Sequence, residues 1–127
     1  MKLDSIAAKL QNDGVGIKGQ SIFIGNMPAN AIPAILLKPP ALGTEINPEL
    51  PGYRKTHFNA VTRGKTYADG EKLMERVMAS LTLMETTLPG MDIRYIRPQT
   101  EPISFPISNS TIFEFLVIFE ATYVIVN

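Results

Sequence analysis

The chain has 127 residues, 45% of them hydrophobic, with twelve basic and twelve acidic side chains and no cysteine. That length and apolar share predict one domain, residues 1–127, with a real core, and exclude a disordered chain. Zero formal charge gives no electrostatic ground for binding nucleic acid or a membrane surface, and the lack of cysteine excludes disulfides, thiolate metal sites and a thiol nucleophile. A neutral, fairly apolar protein repels its own copies weakly, which favours association.

Leu3, Ile6, Ala7 and Leu10 recur at helical spacing and predict a short amphipathic helix over Leu3–Asn12, stopped by Asp13-Gly14. Asp4, Lys9 and Asp13 interrupt the apolar stretch, so no secretory leader is expected. The longest apolar run is Phe115–Phe119, far short of the ~18 residues that cross a membrane. A soluble protein is expected, made in the cytoplasm and leaving the cell only within a larger assembly.

Ser21–Pro28 reads as a strand and Ala34–Lys38 as a second, closed by Pro39-Pro40. From Pro39 to Gly52 the sequence PPALGTEINPELPG holds four prolines and two glycines without periodicity. This is a long loop, with an ordinary surface loop and a docking loop both open as readings. Tyr53–Gly64 alternates as a strand, with Thr56, Phe58 and Ala60 on one side and His57, Asn59 and Val61 on the other.

Thr66 and Asp69 resemble a capping box. They open a helix whose stripe is Tyr67, Met74, Val77, Met78, Leu81 and Leu88, with Pro89-Gly90 as its end and the methionines as core filling. Met91–Arg97 and Glu101–Ile107 are short strands. Residues 111–127 are strand-forming almost throughout. Phe113, Phe115, Val117, Phe119, Ala121, Tyr123 and Ile125 share one face, on which Phe115→Asp is expected to prevent folding. Extended, this segment would reach about 50 Å, so a bulge, a break or an arm is expected. The order predicts an α+β fold, a mainly antiparallel sheet with two helices packed on one face. The second face of the last strand then needs another cover, for which a neighbouring subunit is one candidate.

Gly14, Gly16 and Gly19 in GVGIKG have the spacing of a pyrophosphate loop. That loop needs a strand before it and a helix after it, and here the order is inverted, so the glycines read as turn geometry. His57, the only histidine, has no cysteine to share a zinc site with. Glu71, Lys72, Glu75 and Arg76 read as a solvated helix face, and Asn109-Ser110-Thr111 as a chance glycosylation match. No catalytic set, cofactor or metal is expected. Basic residues beside aromatics, such as Arg94 and Arg97 around Tyr95-Ile96, can bind single strands, but inter-subunit ion pairs or solubility fit a neutral chain better.

SIFIGNMPANAIPAILL, the Pro/Gly-rich loop, and THFNAVTRGKTYADGEKLMERVMASL together resemble the minor capsid or tail-completion (tail terminator) proteins of long-tailed bacteriophages. The most telling piece is a strand ending in Val61, Arg63 and Gly64 that enters a helix at Tyr67-Ala68, although Thr62 breaks the alternation expected there. The resemblance implies a virion protein that assembles as a ring, typically a hexamer, on the head-proximal end of the tail tube. Its partners would be other copies of itself, the tube protein and a head-completion or stopper protein. DNA can pass through such a ring without sequence-specific contact. Another neck or tail subunit (a head–tail stopper or tube protein) and, further off, a small ligand-binding domain or enzyme remain alternatives. Interface candidates fall in the loop and at strand edges: Ala41, Leu42, Thr44, Glu45, Ile46, Asn47, Glu49, Arg54, Lys55, Arg63, Lys65, Arg94 and Arg97. Changes in Ala41–Leu50 are expected to spare folding and weaken assembly.

Overall fold

The structure, a computed structural model, describes residues 1–106 and 112–126. Helix α1 (Leu3–Asn12) buries Leu3, Ile6, Ala7 and Leu10. It stops where the chain leaves right-handed space: Gly14 has φ 76° and donates to the Gln11 carbonyl at 3.0 Å, and Val15 donates to the Leu10 carbonyl at 2.9 Å. This paired closure is a Schellman motif, and it brings Val15 and Leu10 into the same core. Gly16 follows because a Cβ there would lie 2.8 Å from Ser21 Oγ, and Gly19 because its φ is 82°. The GVGIKG glycines therefore turn the chain into strand β1 (Ile22–Ile24). That strand is shorter than Ser21–Pro28, because Gly25 at φ 81° takes the backbone out of the sheet.

Strands β2 (Ala34–Lys38) and β3 (Tyr53–Gly64) keep the boundaries that alternation and the flanking Pro and Gly imply. Helix α2 (Tyr67–Leu81) starts at Thr66, whose hydroxyl accepts from the Asp69 amide at 3.1 Å. It ends seven residues before the expected Leu88, and Leu83–Leu88 is instead strand β4. Leu81 and Leu88 lie one helical heptad apart, so the stripe looks continuous; Thr82, Thr86 and Thr87 favour the extended backbone that follows. Pro89-Gly90 is thus the turn of a hairpin, with Gly90 at φ 82°, joining β4 to β5 (Met91–Pro98). Strand β6 (Ile103–Pro106) precedes β7 (Phe113–Ile125). The expected end of β6 at Ile107, the Asn109–Thr111 match and the outermost residues of the 111–127 segment lie outside the described residues.

The sheet order is β1-β2-β3-β7-β5-β4, with β6 also on β7, and only the β1–β2 pair is parallel. The expected break or arm in the last strand is not found: β7 runs unbroken, paired with β3 from Gly64–Phe113 to Tyr53–Val124. Its length is used because two short strands share its other edge, β6 along Phe113–Leu116 and β5 along Phe119–Ile125. The irregularity falls in β5, between Ile93 and Tyr95.

Both helices pack on one face of the sheet, over Ile35, Leu37, Phe58, Ala60, Ile93, Ile96, Val117 and Phe119. Phe58 and Phe119 stack at 5.1 Å. The V-x-R-G and Tyr67-Ala68 segments meet at close quarters. A Cβ on Gly64 would sit 2.5 Å from the Gly70 nitrogen, and one on Gly70 would sit 2.8 Å from the Phe115 ring. Thr62 fits the pattern after all, since its buried hydroxyl donates to the Gly70 carbonyl at 3.1 Å and ties β3 to α2. Among the described residues, no helix is long and apolar enough to cross a membrane.

Candidate assembly surfaces

The other face of the sheet has no helix on it. Register places Leu36 and Lys38 of β2, Asn59, Val61 and Arg63 of β3, Glu114, Leu116, Ile118 and Glu120 of β7, and Tyr95 and Arg97 of β5 there. The aliphatic residues form a central band and the charges flank it. A shallow depression of about 360 Å³ lies over Met27, Leu36, Val61 and Leu116, rimmed by Lys38 and Glu114.

Arg63 closes one end of this face from within the chain. Its Nη2 lies 2.9 Å from Glu114 Oε2 and its Nε donates to the same oxygen at 3.0 Å. Its Nη1 reaches the carbonyls of Pro28 (2.9 Å), Ala29 (3.2 Å) and Ala31 (3.4 Å). A guanidinium fork suits this task because it bonds a carboxylate and several carbonyls at once. Arg63 thereby fastens residues 28–31 to the end of β3. With only 9% of its surface exposed, it is an internal clasp within the chain.

Residues 39–52 lie beside the first half of β3, where β2 no longer pairs: β2 reaches only Asn59–Arg63. Thr44 and Thr56 share a 2.8 Å hydrogen bond that anchors the segment. Asn47 Oδ1 accepts from the Glu49 amide at 2.9 Å, and the Leu50 amide returns to the Asn47 carbonyl at 3.1 Å. The loop is therefore internally ordered, yet it exposes Leu42 (85%), Ile46 (63%) and Leu50 (55%).

At the far edge of the sheet, β4 and β5 form a groove of about 510 Å³ lined by Thr82, Leu83, Met84, Glu85, Arg94, Tyr95, Ile96 and Arg97. Met84 is 75% exposed. The Arg97 guanidinium lies 4.6 Å over the Tyr95 ring, and its Nε is 3.4 Å from Glu120 Oε2. The Tyr95 hydroxyl donates to Glu120 Oε1 at 2.8 Å. That hydrogen bond, with the Arg97 charge, holds the Glu120 carboxyl below the usual glutamate range.

Of the sequence candidates, Ala41, Leu42, Glu45, Ile46, Asn47 and Glu49 are exposed in the loop, and Thr44 is half-buried as its anchor. Arg54 is half-buried, bonded to the carbonyls of Pro51 (2.6 Å) and Tyr53 (3.0 Å). Lys55 and Lys65 are exposed at opposite ends of β3. Arg94 and Arg97 come together in the groove, while Arg63 stands apart from all of these. Local sequence signals do not single out Met84 or Glu120: Met84 sits on a strand whose flanking apolar spacing also fits a helix, and Glu120 meets Tyr95 across 25 residues of chain. His57 is exposed on β3, and no metal-binding group of acidic and histidine side chains occurs among the described residues.

These features define a class: an α+β protein whose largely antiparallel sheet is covered by helices on one side and left open on the other. Residues 9–125 match the family model of the bacteriophage tail terminator protein, and the chain belongs to that family. It is accordingly a structural protein of the phage tail, located in the virion and assembling with other tail or neck proteins. The fold is similar to a chain in a solved structure described as the virion of a native gene transfer agent particle. The TM-score is 0.65 at 11% identity, covering 94% of this chain and 84% of that one, a likeness of fold. No curated protein matches the sequence.

Proposed function

We propose that the protein assembles as a ring, of six copies, on the head-proximal end of the tail tube, ends tube polymerisation there and presents a surface to a head-completion or stopper protein. The family match over residues 9–125 carries this reading. The open sheet face and the ordered, aliphatic loop supply surfaces for such contacts. Termination of this kind is steric and geometric: the ring occupies the last tube subunits and offers no further tube-like edge. DNA passes through the ring without base-specific contact, in keeping with a formal charge of zero.

The test is polymerisation of the phage's tube protein with and without this chain, followed by electron microscopy of the tube ends. The expected result is a six-fold cap on one end and arrested elongation. A chain that stays monomeric at all concentrations and leaves tube ends bare overturns the reading.

A further inference from the structure

Two surfaces on opposite edges of the sheet carry exposed aliphatic groups beside charges of opposite sign. Residues 39–52 project beside β3 on the β2 side, carry Glu45 and Glu49, and contain no basic residue. Neither carboxylate has an ion partner among the described residues. The β4–β5 groove lies on the far edge, beyond β7 in the strand order. It offers exposed Met84 with Leu83 and Ile96 beneath, framed by Arg94 and Arg97, with one carboxylate, Glu85, also on its lining. Arg94 reaches Asp92 through Nη2 alone, at 3.5 Å, and the two terminal nitrogens of Arg97 make no hydrogen bond among the described residues.

We infer that the loop of one copy seats in the β4–β5 groove of the next, with Ile46 and Leu42 against Met84 and with Glu45 and Glu49 facing Arg94 and Arg97. The occupant is therefore a second copy of this chain. Because the two surfaces sit on opposite edges, they cannot meet within one molecule. The contact is heterologous, and a head-to-tail contact of this kind closes into a ring when its rotation permits. The loop's internal hydrogen bonds lower the ordering entropy lost on docking, and the Arg fork bonds a carboxylate better than a lysine would. This inference rests on the ring reading above and names its contact.

The absence of cysteine permits a direct test. A chain carrying both Ile46→Cys and Met84→Cys is oxidised in the presence of tail tubes, and size is read on a denaturing gel and by electron microscopy. A covalent ladder rising to the ring supports the inference. Six-fold caps without a ladder overturn it while leaving the ring reading intact; no caps and no ladder overturn both. Charge reversal gives an independent arm. Glu45→Arg/Glu49→Arg and Arg94→Glu/Arg97→Glu should each reduce cap formation at least tenfold, with unchanged circular dichroism. An equimolar mixture of the two variants should restore caps, since alternating copies then present matched charges at every contact. Restoration by mixing supports head-to-tail docking; two variants that assemble normally alone overturn it.

Discussion

The two faces of β7 differ less in apolarity than in how their polar groups are handled. On the helix side, Phe115, Val117, Phe119, Ala121 and Tyr123 follow one another with no charge between them. Tyr67 meets Phe113 and Phe115 edge-on at 6.2 and 5.0 Å. On the open side, Glu114 and Glu120 flank Leu116 and Ile118, and each carboxylate has a partner from a neighbouring strand, Arg63 for the first, Tyr95 and Arg97 for the second. The first face is sealed by packing. The second is held in one arrangement by ion pairs and hydrogen bonds, with Leu116 and Ile118 half-buried and Leu36 and Val61 buried beside them.

The sharpest way to break this comparison is to place the same charge on adjacent residues. Phe115→Asp puts a carboxylate against Tyr67 and Gly70 with no partner, at a cost of several kcal/mol, and should yield no folded protein. Leu116→Asp, one residue on, faces the open side, where Leu116 is only half-buried, and should fold, with a loss of about 1–3 kcal/mol. Far-UV circular dichroism and thermal melting of the pair decide it. Two variants that melt alike would mean the faces are not different in kind.

The next largest effect tests the Arg63 clasp. Arg63→Ala leaves Glu114 and three carbonyls without their donor, and should cost about 2–3 kcal/mol, below the ~3–5 of a fully buried pair because both side chains keep some exposure. The double change Arg63→Met/Glu114→Leu should recover part of that loss, since no charge is then stranded. Urea denaturation of the two variants measures the difference. If the double change is as unstable as Arg63→Ala, the carbonyl contacts to residues 28–31 matter more than the ion pair.

These contrasts also show what the sequence could convey. The bounds of α1, β2 and β3 were legible because local signals, apolar spacing together with Gly and Pro stops, act within a few residues. β4 was not, because Leu81 and Leu88 satisfy a helical stripe whichever backbone carries the residues between them. The unbroken run of β7 was not either, since it depends on β5 and β6 dividing one edge. For the surfaces, the loop 39–52 stood out by composition. The burial of Arg63 did not, because its partners include backbone carbonyls 32 to 35 residues away. Local chemistry was readable; what depends on pairing at a distance was not.

A smaller effect concerns Thr122, on the open face between Lys55 and Tyr95. Its hydroxyl oxygen is buried with no hydrogen-bond partner among the described residues. An unsatisfied buried hydroxyl costs free energy, so Thr122→Val, nearly equal in shape, should leave stability unchanged or raise it by about 1 kcal/mol. The same change at Thr62, whose hydroxyl bonds Gly70 on the helix side, should lower stability by about 1–2 kcal/mol. Matched melting curves compare the two threonines directly, and a gain at both would erase the distinction between the faces.

The smallest expected effect lies in the pH dependence of the open face. Glu120 sits below the usual glutamate value of 4.5, first through the Tyr95 hydrogen bond and then through Arg97, with burial acting the other way. A carboxyl depressed in the folded state stabilises it fully above its unfolded value, and that contribution is lost as pH falls through the folded value. Acidification below about pH 4.5 should therefore weaken the Tyr95–Glu120–Arg97 cluster before it touches the phenylalanine face, which carries no carboxylate. Tyr95→Phe removes the largest cause, so the Glu120 carboxyl should titrate closer to 4.5 and the acid limb of the stability curve should become shallower. Carboxyl-detected NMR titration of Glu120 in the two proteins reads the shift directly. If Glu120 titrates identically in both, the hydroxyl does not hold it, and Arg97 alone secures this end of the open face.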